Sequence, residues 1–109
     1  MIVRRFLLWA RTASAADRSD GIAALSRAYL YSDLDDAERR DALTAFAAAL
    51  DDPSPLVRRA MADAFGGSPD APRHIVTALA GDQPDIAALV LGRSPLFSDW
   101  DLVDTAATG

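Results

Sequence analysis

The chain has no cysteine and no lysine: all eleven of its basic residues are arginine. Without cysteine there are no disulfides, no thiolate nucleophile, no iron–sulfur cluster and no cysteine-based zinc site, which fits a reducing cytoplasm. Without lysine there is no Schiff base, no pyridoxal phosphate attachment and no Walker-type phosphate loop. Aromatics are sparse, at four Phe, two Tyr and two Trp, and there is one histidine, His74. Glutamate is scarce too, since Glu38 stands alone beside fifteen aspartates. Long apolar runs are missing: Phe6-Leu7-Leu8-Trp9-Ala10 behind Arg4-Arg5 imitates a signal peptide, but five apolar residues fall short of an export segment or a membrane span.

What remains is a chain of 109 residues, half of them apolar, with a formal net charge of -5. This length suits one domain, 1–109, with its own core, and leaves open that it is the N-terminal part of a longer protein. The acidic balance disfavours nonspecific nucleic-acid binding, which draws its affinity from clustered cations neutralising phosphates. Alanine, the strongest helix former, supplies twenty-three residues. Aspartate favours helix starts, so an Ala-rich, Asp-punctuated chain reads as many short helices.

The punctuation predicts where they lie. Ile2 or Val3, Phe6, Leu7 and Ala10 fall on one face of a first helix. Ala15 to Tyr31 carries Ile22, Leu25 and Tyr29 at helical spacing, starting near Ser14. Asp35 and Glu38 have capping-box spacing ahead of Leu43, Phe46 and Leu50. Ser54 caps and Pro55 opens a helix with the stripe Val57, Ala60, Met61, Ala64 and Phe65, closed by Gly66 as a left-handed cap. Asp70 is expected to cap a helix through Pro72 bearing Ile75, Val76 and Leu79; Pro84 opens one with Ile86, Leu89 and Val90; Ser98 caps the last. The count is about seven short helices and no strand. Connections of two to six residues make successive helices antiparallel.

A faint repeat runs through the second half. Pro55 and Val57 recur as Pro84 and Ile86, displaced by 29 positions; Phe65-Gly66-Gly67-Ser68-Pro69 recurs as Leu91-Gly92-Arg93-Ser94-Pro95, displaced by 26. A helix-pair unit with a period in the high twenties marks an α-solenoid, whose units bury their faces against their neighbours.

The stretch Asp52-Pro53-Ser54-Pro55-Leu56-Val57-Arg58-Arg59-Ala60 resembles the core of HEAT-like repeats. With Gly67-Ser68-Pro69-Asp70-Ala71-Pro72-Arg73-His74-Ile75-Val76 and Ala87-Ala88-Leu89-Val90-Leu91, it also resembles the N-terminal helical region of a domain-of-unknown-function family of alphaproteobacterial helical-repeat proteins. The resemblance implies an all-α, HEAT-like right-handed superhelix with no assigned activity. It also implies a ladder of Asp–Arg ion pairs between units, matched here by Asp52 and Arg58 and broken where Ala87 stands in place of Arg.

Chemistry-bearing residues read as scaffold. His74 near Ser68 and Asp70 would be the only route to a triad, yet Ser68-Pro69-Asp70-Ala71-Pro72 reads as a helix start. Asp33-Leu34-Asp35 opens like a calcium loop, but Glu38 stands where glycine is needed and Thr44 where a bidentate glutamate is needed. The pairs Asp35-Asp36, Asp51-Asp52 and Asp99/Asp101 sit at helix starts, where negative charge meets free N–H groups. No catalytic residue, cofactor or metal site is assigned, and the chain is not read as an enzyme. The weak candidates for partner contact are Trp9, Trp100 and the arginines Arg39, Arg40, Arg58 and Arg59, which offer an anion or acidic-peptide surface if they converge. The expectation is a cytoplasmic protein-binding scaffold or adaptor whose open ends contact another protein, the rest of a longer chain or a second copy. Its alternative is nucleic-acid or anion binding through an Arg-lined surface; no membrane role is expected.

Overall fold

The computed structural model describes Arg5 and residues 8–92, and these are all-helical, with no strand among them. Five helices follow a short helical stretch at 8–10: α1 (Ala15–Tyr31), α2 (Asp36–Leu50), α3 (Pro55–Phe65), α4 (Arg73–Ala80) and α5 (Pro84–Leu91). The seventh expected helix, with Ser98, lies outside the described residues.

Local chemistry sets most of the starts. Ser14 accepts the Asp17 N–H ahead of α1, Asp35 and Glu38 close a reciprocal capping box on α2, and Ser54 accepts the Leu56 N–H with Pro55 in the first turn of α3. Two expected caps are placed differently. Asp70 does not cap α4: the N-cap is Pro72, without a side-chain bond, and the Asp70 N–H donates to Ser68 Oγ at 3.2 Å. Pro72, held at φ -66° by its ring, leads the chain into the helix without a side-chain acceptor. The left-handed residue after α3 is Gly67, at φ 89°, whereas Gly66 keeps φ -61°. Gly66 is needed for a different reason, because a Cβ there would run into the Leu89 carbonyl of α5.

Along α1, α3 and α5 each helix packs most with the one two along in sequence, whereas α2 packs most on α1 and α4 most on α5. The most extensive contact joins α1 to α3, the next joins α3 to α5, and α2 meets α4, so α1, α3 and α5 form one layer and α2 and α4 a second. Between the layers lies a core of Ile22, Phe46, Val57, Met61, Phe65, Ile75, Val76, Leu79, Ile86 and Val90, all buried. Its centre is an aromatic trio: Phe46 meets Phe65 edge-on at 5.0 Å between centroids, and Tyr29 meets Phe46 at 5.5 Å and Phe65 at 6.4 Å. These rings fasten α1, α2 and α3 at one point. The polar side chain buried with them, Ser26, donates its hydroxyl to the Ile22 carbonyl at 2.7 Å and so enters the core satisfied.

Phe46→Ala removes the middle ring of the trio and is expected to cost about 3–5 kcal/mol of folding stability. Gly67→Ala, forced into the left-handed region, is expected to cost roughly 1–2 kcal/mol. Urea unfolding of both variants beside the parent checks the order.

Candidate partner-binding groove

Two features organise the layer of α1, α3 and α5: a row of ion pairs along one edge and a groove on its surface. The row follows from where the helices begin, and the groove from how α1 and α3 pair.

Arg18 is the fourth residue of α1, counted after its Ser14 cap, and Arg58 holds the same place after Ser54 in α3. Each reaches forward to an aspartate just ahead of the next helix of its layer. Arg18 grips Asp52 with a two-pronged contact, Nε to Oδ2 at 2.8 Å and Nη2 to Oδ1 at 3.0 Å, and its Nη1 donates to the Ala13 carbonyl at 2.8 Å. Arg58 donates from Nε to Asp82 Oδ2 at 2.7 Å and from Nη1 to the Asp52 carbonyl at 2.6 Å. The carboxylates also accept backbone N–H groups, Asp52 from Ser54 at 2.9 Å and Asp82 from Gln83 at 2.7 Å. A continuous polar chain thus runs from the turn before α1 to the start of α5, with side-chain exposures of 12–17%. In α5 the equivalent position is Ala87, so the row ends there.

Burial pushes the Asp52 carboxyl up. The hydrogen bonds from Arg18 and Ser54 and the charges of Arg18 and Arg58 outweigh that push and hold it below the usual carboxylate range.

The groove lies between α1 and α3, open to solvent along its top, with a volume of about 410 Å³. Ser19, Ala23, Arg27 and Tyr31 form one i, i+4 row on α1, with Asp20 beside them, and Ala60, Asp63 and Ala64 form the α3 wall. Alanine on both sides keeps the floor low. Ser19 Oγ donates to the Leu56 carbonyl at 3.3 Å and ties the two walls at one end. Tyr31 stands 78% exposed at the rim.

The residues singled out from sequence are dispersed. Trp9 is 41% exposed in the short helical stretch before α1; Trp100 lies outside the described residues. Arg39, in the first turns of α2, sets its guanidinium over the Tyr29 ring at 5.5 Å, and Arg40 beside it is exposed. Arg58 belongs to the edge row, and Arg59 faces Asp85 at 3.8 Å on the exposed side. His74 is exposed on α4, and Ser68 Oγ is an acceptor in the turn before it. Asp52, expected as a helix-start acid, is an ion-pair acceptor whose neighbour Ser54 does the capping. Among the described residues no group of three or more His, Asp or Glu is placed to hold a metal ion, and no helix is long and apolar enough to cross a membrane.

Sequence reasoning missed Arg18, Asp82 and the groove. The signal for Arg18 was present, since Ser14/Arg18 repeats the spacing of Ser54/Arg58; the groove needs the α1–α3 pairing, which no spacing in one helix reveals. In comparison with known proteins, no family model matches the chain, and neither a curated protein nor a solved structure is significantly similar to it.

Arg58→Ala is expected to cost about 1.5–3 kcal/mol, as charge-assisted hydrogen bonds do. Arg59→Ala should stay within about 0.5 kcal/mol, as for an exposed pair. Because the folded Asp52 pKa is depressed, its stabilisation is present above the ordinary aspartate value of 3.8 and is lost as pH falls through the lower folded value. Asp52→Asn should therefore be less stable than the parent at pH ~7, with the gap closing in acid; urea midpoints across that range test it, and a constant gap contradicts it.

Proposed function

We propose that the chain is a protein-interaction module of the HEAT-like α-solenoid kind, without catalytic activity, working in the cytoplasm as a scaffold or adaptor. The supporting architecture is the stacking of alternate helices, α1 on α3 on α5 and α2 on α4, with the Arg–Asp row crossing from unit to unit. The resemblance to the alphaproteobacterial helical-repeat family belongs to this reading.

One observation carries the functional part: the groove between α1 and α3, walled by exposed Asp20, Arg27, Tyr31 and Asp63 over an alanine floor. Its volume lies within the range of ligand-sized clefts, and its relief suits side chains of a docked segment. Anion or nucleic-acid binding through Arg39, Arg40, Arg58 and Arg59 has less support. Arg58 already serves Asp82 and the Asp52 carbonyl, Arg59 faces Asp85, and the groove itself presents two carboxylates.

Selection of displayed helical peptides on the full chain tests this reading. Winners should lose about tenfold or more in affinity for Tyr31→Ala or for Ala64→Met, which fills the floor, and bind His74→Ala unchanged. Circular dichroism confirms that each variant is folded. Labelled duplex DNA at about 50 mM salt should show no binding. Winners indifferent to both groove variants, or a salt-steep duplex isotherm, overturn the proposal.

A further inference from the structure

Resting on the groove as the docking surface, we infer that its occupant is a helical segment of another protein, with a basic residue and, two turns along the same face, an acidic one. Asp20 and Arg27 are seven residues apart on α1, which places them about 10 Å apart along the groove. A helix laid in the groove meets that spacing with residues i and i+7, which share a face and have the same rise. Its basic side chain sits over Asp20 and its acidic one over Arg27. Both are exposed and stand in the wall of the same open groove.

The floor narrows the choice further. Ala23, Ala60 and Ala64 offer no bulk, so an incoming helix seats closely only if small residues lie between its two charges. Tyr31, 78% exposed at the rim, presents a ring face to an aliphatic stem or a cation. Asp63 already has an interaction of its own and is not required. A polyanion would meet Asp20, and a uniformly basic segment would meet Arg27; only the mixed pattern satisfies both ends.

The test uses three labelled, alanine-rich stapled helical peptides that differ only at one i, i+7 pair: Lys/Glu, Lys/Lys or Glu/Glu. Fluorescence anisotropy with the full chain is expected to rank Lys/Glu first by about threefold or more, the scale set by exposed ion pairs. Asp20→Lys should move the preference to Glu/Glu, and Arg27→Glu should move it to Lys/Lys. An unchanged ranking in both variants, or no binding by any of the three peptides, overturns the inference. If all three bind alike and Ala64→Met weakens them together, the charge pattern falls while the groove stands; if groove variants leave binding intact, the docking reading falls as well. Self-association of the chain that Asp20→Lys abolishes would assign the groove to a second copy and overturn the inference.

Discussion

Helices of eight to seventeen residues are marginal in water on their own, so this fold depends on each finding a neighbour to cover its apolar side. For α1, α3 and α5 that neighbour is the helix two along, while α2 and α4 lean mainly on α1 and α5. That choice leaves the starts of α1, α3 and α5 on one edge, where their arginines and aspartates meet half-buried. Dehydration there makes an unmatched charge costly, and every member of the row is accordingly bonded to the backbone as well as to its partner. The row therefore fixes the register of adjacent helices more sharply than apolar packing does, because a fork of N–H donors tolerates less sliding than a methyl group.

Legibility followed the range of the interaction. Helix starts were readable at Ser14, Asp35 and Ser54, where the cap and its target lie within four residues, and at Pro84, which opens α5 without a side-chain cap. Asp70 misled because Ser68-Pro69-Asp70-Ala71-Pro72 contains more potential starts than one helix uses, and the choice is settled by burial of Ala71 and Pro72. Gly66 and Gly67 were interchangeable on paper; the contact with Leu89, which separates their roles, is tertiary. The same limit hid the groove. Its α1 row lies on the polar side of a helix whose apolar side drew the attention, and its opposite wall comes from a segment some forty positions away.

The two halves of the layer divide labour. Along the edge, arginine and aspartate are consumed in holding helices to one another. On the surface, Asp20 and Arg27 are exposed and separated by alanine, and the proposed docking reading gives their charge to an incoming chain. Composition shows neither role, since the same two residue types serve both; what separates them is distance from water and from each other.

Gly66 has a mechanical corollary. With hydrogen in place of a side chain, the end of α3 abuts the backbone of α5. Any larger residue acts as a shim, prying the rods apart at that end. The closeness of the two rods at that end thus rests on one missing methyl group.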